Sequence, residues 1–465
     1  MSVTRLARIA EVMRGLAAAR EGQRHERLDR RTLEALQRER LTELVRHAVA
    51  RSPLYADLLR GIDLSRTVDP RDLPIVDKQT LMARFDDWVT DRRLRLADLD
   101  AHLAKARGDE LYLGDYRVMA TSGTTGRRGI FVYSRADWAP ALGGFLRASQ
   151  TAGARPRLPR YRIGHVAATS PLHMTARFGM SADVGLHRVL RLDARSPLRE
   201  LADALAAFRP DLIGAYPSVL ALLADEQIAG RLDVAPSSII VSSEVCTPEM
   251  ARRIRAAWGV TPFDVYASTE SGVVGIDCEQ HQGRHVFEDL VLLENVDERG
   301  EPVPDGQPGA RVLITNLFNG TQPLIRYELS DIVVLDGRPC ACGRGTRRIV
   351  AIEGRSDDIL MLPGRDGRDV AVHPLAIRSP FAGLSDVRQY QLVHDDALRV
   401  RVVPSEGADP AQVAARVHAT LGGKLAELGV AVPKIEVETV ATLTRDRGPA
   451  GKLKLIESKR ARSAA

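Results

Sequence analysis

The sequence predicts an α/β protein with a large N-terminal domain, parallel sheets flanked by helices, a β-rich subdomain, and a small α+β C-terminal domain. Three observations predict it. Between residues 160 and 275, apolar runs such as "RIGHVAAT", "LIGAY", "SIIVSS" and "FDVYAS" alternate with the helical stretches "PSVLALLADEQIA" and "TPEMARRIRAAWG". That alternation is the signature of βα units feeding a two-sided parallel sheet. A Pro/Gly-rich turn, "DERGEPVPDGQPGARVLITNL", then opens a β-rich stretch that runs to about residue 354. Finally, 465 residues exceed what one compact core serves, and 44% hydrophobic residues suffice for two or three. The stretch "EGRSDDILML" leads into the smaller segment, which divides the chain into domains 1–354 and 355–465.

The elements follow in order. The part to about residue 85 is helical, with Leu33, Leu36, Leu41, Leu44 and Val45 spaced for one buried face and Pro53 stopping the helix near "RSPLY". "DKQTLMARFDDWV" reads as a helix, and "YRVMAT" and "GIFVYS" read as strands on either side of a Gly/Thr/Ser loop. Ser134 and Asp137 then have the spacing of a helix-opening capping box.

Charge excludes some function classes. Sixty-six Lys and Arg against 60 acidic residues leave a net charge of +6. In "RHERLDRRTLEALQRERLTELVRHAVA" the basic residues are interleaved with acidic ones, as on a solvated helix, which argues against a nucleic-acid partner. No run of 18 apolar residues exists, and arginines break the N-terminal segment, so neither a membrane span nor a signal peptide is expected and the cytoplasm is the expected compartment. The four cysteines, Cys246, Cys278, Cys340 and Cys342, would be reduced there, leaving thiolate chemistry or metal binding open. A homodimer is the default for a soluble enzyme.

The loop "ATSGTTGRRGIFVY" (120–133) lacks the Gly-Lys-Ser/Thr ending of a Walker loop and is followed by a strand rather than a helix. Such a loop can wrap backbone amides and hydroxyls around a polyphosphate without a helix dipole. Taken alone it fits a surface hairpin equally well. Further segments arrive in order: "VYASTESG" (265–272), "RYELSD" (326–331) with "GRSDD" (354–358), and "GKLK" (451–454). Together they resemble the adenylate-forming enzymes, the acyl-CoA synthetases and their relatives. Within them, "ERLTELVRHAVARSPLYADLL", "LPIVDKQTLMARFDDWV" and "GRHVFEDLVLLENVD" look like the phenylacetate-CoA ligase family.

The resemblance implies ATP-dependent activation of a carboxylic acid, aromatic or aryl-acetic, to an acyl-AMP, with Mg²⁺ assisting and CoA as acceptor. It places the ATP phosphates on Thr121, Ser122, Gly123, Thr124, Thr125 and Gly126, with Arg127 where the family usually has Lys, a fork in place of a point charge. It assigns adenine contacts to Ser243 and Glu244 in "SSEVCTPEM", with Pro248 starting a helix, and adenine stacking to Tyr266. Ala267, Ser268 and Thr269 also fall to the nucleotide, Thr269 to its phosphate, and Glu270 to Mg²⁺, a hard cation that prefers carboxylate oxygens. Asp331 would accept the ribose hydroxyls, Arg355 would meet ribose or phosphate, and Asp357 would be the hinge (355–358) of a mobile lid domain. Lys452 would be the catalytic lysine bridging carboxylate and α-phosphate, with Lys454 next in line.

Acid-pocket candidates are Phe178, Tyr216, Ala267 and His173 near strand ends, with a methyl at Ala267 where the family more often has Gly. Cys278, His285, Cys340 and Cys342 would suit a closed structural Zn²⁺ site, with His281 competing for the histidine position. The loop "LPGRDGRDVAVHP" is longer and more charged than the compact Gly turn expected at a CoA tunnel. An amine or a carrier-protein thiol therefore stands as the alternative acceptor, and a non-catalytic nucleotide binder as a third reading.

Overall fold

The computed structural model describes residues 5–121, 128–355, 358–431, 433–443 and 452–458. The helical N-terminal part comprises α1 (Arg5–His25), α2 (Arg30–Arg51), α3 (Pro53–Leu58), α4 (Lys78–Ala83), α5 (Phe85–Trp88) and α6 (Leu96–Lys105). Asp29 caps α2 by accepting from the Thr32 amide at 3.0 Å, and the helix ends one residue before Ser52, ahead of Pro53. Leu33, Leu41, Leu44 and Val45 are buried as expected, but Leu36 is only half-buried. Gln37 takes the buried place beside it because its Nε2 donates to the Val291 carbonyl at 3.1 Å. The single helix expected over 77–89 is broken at Arg84, which leaves helical geometry (φ −116°, ψ 35°) so that Phe85 and Trp88 both reach the core.

The hairpin β1 (Arg117–Ala120) and β2 (Ile130–Tyr133) is followed by α7 (Arg135–Thr151), opened by the Ser134–Asp137 capping box. Then come β3 (Arg162–Ala167), α8 (Met174–Ala182), β4 (Arg188–Asp193), α9 (Leu198–Phe208), β5 (Leu212–Ala215), α10 (Pro217–Ile228), β6 (Ser238–Ser242), α11 (Pro248–Trp258) and β7 (Phe263–Ser268). The chain continues through β8 (Gly272–Asp277), β9 (Arg284–Val286), β10 (Val291–Val296), β11 (Arg311–Asn316), β12 (Tyr327–Leu329), β13 (Asp331–Asp336) and β14 (Arg348–Arg355).

One nine-stranded sheet, ordered β13-β14-β9-β8-β7-β6-β5-β3-β4, unites these units. Strands β4 to β7 pair in parallel through right-sized βα crossovers, and β8, β9, β14 and β13 extend the sheet antiparallel. Strand β4 was not foreseen; "RVLRLD" alternates charge with apolar residues because it lies at the sheet edge, half-exposed on both faces. A three-stranded sheet, β10-β11-β12, packs beside it.

Two buried ion clusters fasten α1 to this body. Arg117 makes a bidentate pair with Glu11, both bonds 2.8 Å, and also meets Asp109 at 3.3 Å. At the other end, Arg147 pairs with Asp289 at 2.9 Å and approaches Glu26 at 3.5 Å. Because each charge is answered, removing one partner leaves the other buried and uncompensated.

From Leu360 onward a second hydrophobic cluster forms, with Leu362, Val400 and Leu421 among its buried members. It is built from β15 (Leu360–Pro363), β16 (Asp369–Val372), α12 (Pro374–Arg378), β17 (Val387–His394), β18 (Leu398–Pro404), α13 (Pro410–Glu427), β19 (Ile435–Thr439) and β20 (Ile456–Ser458). The sheet order is β19-β18-β17-β20. Arg388 of β17 reaches the body: its Nε lies 2.7 Å from Asp225, and its carbonyl accepts from Arg253 at 2.8 Å.

Candidate functional site

Parallel α/β sheets bind ligands beyond the carboxyl ends of their strands, because helix N-termini and loop amides converge there. Here Tyr216 follows β5, Ser243 and Glu244 follow β6, and Thr269 and Glu270 follow β7. All five line one cavity of 1910 Å³, together with Thr121, Ala267, Ser268, Asp331, Arg355 and Lys452. That volume exceeds the several hundred cubic ångströms of a pocket for one small molecule, and fits a site holding more than one substrate.

The loop after β7 is rigidly held. Tyr133 donates to the carbonyls of Thr269 (3.1 Å) and Glu270 (2.8 Å), and Asn316 donates to the second at 3.3 Å. Ser268 accepts from the Ser271 amide at 3.1 Å. The Glu270 carboxyl is thereby turned into the cavity, where burial raises its pKa against the opposing pull of Arg355 and Lys78. Tyr266 is buried, and its hydroxyl donates to Asp331 at 2.9 Å. Arg355 stands 3.5 Å from the other Asp331 oxygen, and that carboxylate holds the guanidinium above its ordinary pKa.

The tail enters this cluster from the second hydrophobic unit. Leu455 accepts from Leu392 of β17 at 2.8 Å, Lys454 pairs with Asp358 at 3.0 Å, and Gln391 donates to the Lys454 carbonyl at 3.0 Å. Glu244 completes the seat: one carboxylate oxygen accepts from the Leu453 amide at 2.7 Å, and the other from the Ser218 amide in the first turn of α10 at 3.3 Å. Lys452 is thus held in the cavity, and burial, with Arg355 nearby, lowers its pKa from the ordinary lysine value. Lys454, the second candidate, also borders the cavity but is paired with Asp358.

Of the residues read from sequence, Ser122, Gly123, Thr124, Thr125, Gly126, Arg127 and Asp357 lie outside the described residues. Thr121 is described; its hydroxyl accepts from the Gly129 amide at 2.9 Å and from Lys78 Nζ at 3.2 Å. Lys78 was missed as a site residue. The segment "VDKQTL" carried the signal, a lysine just after the α4 cap Asp77, but only the fold shows that it faces Thr121 and Glu270. Ser243 adopts φ +71°, the left-handed conformation that turns the chain sharply at the end of β6.

Among the residues expected to border the acid, Phe178 is buried in a stack with Trp138 (4.8 Å between centroids) and Phe145 (5.1 Å). His173 precedes α8, the Tyr216 hydroxyl accepts from the Ala168 amide at 3.0 Å, and the Ala267 methyl is exposed to the cavity.

Cys278, His285, Cys340 and Cys342 come together away from this cavity, their ligand atoms all within 4.8 Å of one another. Cys278 and Cys340 sulfurs are 3.7 Å apart, and Cys342 Sγ is 3.3 Å from His285 Nε2, while His285 Nδ1 is fixed by Thr346 at 3.0 Å. A Zn–S bond of about 2.3 Å puts two sulfurs of a tetrahedral site about 3.8 Å apart, close to the Cys278–Cys340 separation, so the donor set suits Zn²⁺. His281 lies instead against Phe263 and Asp277. Cys246 is not part of the group.

No family model matches the chain. Curated relatives do, among them two phenylacetate-coenzyme A ligases. The phenylacetate-coenzyme A ligase of Thermus thermophilus is 29% identical over 395 residues, covering 79% of this chain and 79% of the relative. That of Escherichia coli is 28% identical over 407 residues, covering 81% and 83%. Among solved structures, a 2-hydroxyisobutyryl-CoA ligase in its postadenylation state, in complex with R3-HIB-AMP, superposes with a TM-score of 0.71 at 22% identity over 94% of this chain and 92% of that one. In sequence the chain resembles the phenylacetate-CoA ligases, and in fold it is similar to the 2-hydroxyisobutyryl-CoA ligase.

Proposed function

We propose that the chain is an AMP-forming acid–CoA ligase: it joins a carboxylic acid to the α-phosphate of ATP, releases pyrophosphate, and transfers the acyl group to CoA. One observation carries this reading. A lysine from the tail, Lys452, stands in a cavity it shares with Arg355, Glu244, Glu270 and Asp331, whose charges act on it. Two anions must meet for the acid to attack the phosphate, and a positioned cation lowers the cost of that encounter. Curated relatives named for this reaction, at 28% and 29% identity, support it.

In the adenylation step the Lys452 ammonium bridges acid and α-phosphate oxygens, seated by the Glu244 contact to the next amide. Asp331 receives the ribose hydroxyls, exchanging the Tyr266 hydroxyl for them, and Arg355 meets ribose or phosphate. Tyr266, Ser243 and Ser268 frame the adenine, and Thr121 begins the phosphate loop. The phosphate-holding role of residues 122–127 and the hinge role of Asp357 rest on the family resemblance. Glu270 would hold Mg²⁺, because a buried carboxyl whose charged form is disfavoured gains most from a neighbouring hard cation. Mg²⁺ supplies charge neutralisation of the departing pyrophosphate. Phe178, Tyr216, His173 and Ala267 border the acid, and the resemblance favours an aromatic or aryl-acetic one.

The domain division at 355–358 and a lid turning there, a structural Zn²⁺ on the Cys/His cluster, and residence in the reducing cytoplasm belong to the same proposal. No helix among the described residues is long and apolar enough to cross a membrane.

The test is acid-dependent ATP–pyrophosphate exchange over a panel of aryl, alkyl and amino acids, with thioester formation measured on adding CoA. Exchange with a subset of acids and thioester only in the presence of CoA are expected. Exchange without thioester would move the acceptor to an amine or a carrier thiol, and ATP binding without exchange for any acid would leave a nucleotide binder.

A further inference from the structure

The acid side of the cavity continues along the sheet far beyond the residues just described. On the face that turns toward α7 and α8, one row of directly paired positions runs across four strands: Arg191 (β4), His165 (β3), Gly214 (β5) and Ile240 (β6). All four line the same cavity as Ala267. Ala267 lies on β7, three strand steps from β3, and at about 4.8 Å per step the two are separated by roughly 14 Å of sheet. With C–C bonds of about 1.5 Å, a single ring on a one-carbon spacer ends well short of β3.

Gly214 keeps this reach open. A Cβ there would stand 3.2 Å from His165 Cδ2, tighter than ordinary contact, so a larger residue would press on the imidazole and fill the floor of the cavity. The surroundings, Ile163, Leu212, Ile240 and Val265, are apolar. His165 has no hydrogen-bond partner among the described residues, and its ring faces the cavity. The cation acting on it among the described residues, Arg191, is already engaged by Asp183 at 3.0 Å and by the Gly179 carbonyl at 2.8 Å.

We infer that His165 reads the distal end of the acid, and that the chain activates an acid extended past a single ring whose far end carries a neutral hydrogen-bonding group, such as a hydroxyl or an amide. Burial holds the imidazole neutral by lowering its pKa to about 4, so it offers one donor and one acceptor and no charge. A distal carboxylate would find no free cation, because Arg191 is spoken for. An apolar distal group would strand the imidazole without a partner, which is the larger penalty and hence the source of discrimination. This inference rests on the adenylation reading above.

The experiment uses the full-length protein and acid-dependent pyrophosphate exchange. The probes are phenylacetic acid, and biphenylacetic and ω-phenylalkanoic acids that each end in either a hydroxyl or a methyl group. The hydroxyl-ended long acids should exceed their methyl-ended isosteres in kcat/KM by about tenfold or more. His165→Phe should abolish that gap by lowering the first value and raising the second, and His165→Gln, which keeps a neutral donor and acceptor, should retain it. The inference is overturned if phenylacetic acid is used as well as the long hydroxylated acids, or if His165→Phe keeps the gap. Absence of exchange with every acid would instead overturn the adenylation reading.

Discussion

The large cavity and the Cys/His cluster are assembled in opposite ways. The cavity draws Thr121, Glu244, Glu270, Asp331, Arg355 and Lys452 from segments spread over more than three hundred residues, and its last member arrives on a tail held by a few hydrogen bonds. The cluster takes all four ligands from residues 278–342, on paired strands and one tight loop, with His285 fixed from behind by Thr346. Under the proposed reaction the first would open to admit reactants and free the tail. The other is closed and gains nothing from motion. The difference teaches where substitutions act: on rate in the first case, on stability in the second.

The largest effect should come from the tail. Lys452→Ala should lower acid-dependent pyrophosphate exchange by about 10³-fold, while conversion of a supplied acyl-AMP to thioester is retained, because only the first step needs the cation. Equal loss of both half-reactions would break the contrast between a moving and a fixed cluster. Cys342→Ser sharpens the other side. It should release bound zinc, measured by metal analysis, and cost on the order of 3 kcal/mol of stability in chemical denaturation, with exchange at low temperature little changed.

Next is pH. A lysine whose pKa is lowered loses its charge at a lower pH than an ordinary lysine. Exchange should therefore decline with rising pH before the usual lysine range is reached, and Lys452→Arg should push that alkaline limb upward, whatever its effect on the maximal rate. A limb in the ordinary lysine range would show that the ammonium is not buried at the moment of reaction.

Two milder substitutions probe the seat of the tail. Glu244→Gln keeps an acceptor for the Leu453 amide but removes its charge, and should lower kcat of exchange about tenfold with a small change in KM for ATP; a change confined to KM would mark Glu244 as an adenine contact instead. Arg388→Ala removes a partly exposed pair with Asp225 and should cost only a few-fold in exchange, since such pairs contribute little.

Much of this was legible in the sequence, for identifiable reasons. The strands β3, β5, β6 and β7 are short β-branched and apolar runs with helices between them, so periodicity alone located them. Strand β4 escaped because an edge strand, wetted on both faces, lacks that apolar run. The break at Arg84 escaped because "DKQTLMARFDDWV" has good helix composition, and only the need to bury both Phe85 and Trp88 overrides it. Leu36 was misplaced because a polar Gln37 was not expected to be the buried residue, its partner being a carbonyl 254 positions away.

The site residues divide in the same manner. Glu270, Asp331 and Lys452 could be named because they sit in ordered motifs. Lys78 and His165 could not, because nothing local sets them apart from any solvated lysine or core histidine. The choice of His285 over His281 was open from spacing alone, and was resolved by strand pairing that carries His281 to Asp277 and His285 to the cysteines.

The fastening of α1 reaches further than stability. Its residues Val12 and Leu16 form part of the cavity wall, while just past its far end Glu26 meets the cysteine loop, accepting from Gly345 at 2.7 Å and pairing with Arg344 at 2.9 Å. A single rod thus spans the chamber and the metal-type cluster. Exchanging that one helix between related enzymes is a route to altered acid choice that leaves every reacting group in place, provided the two anchoring carboxylates travel with it.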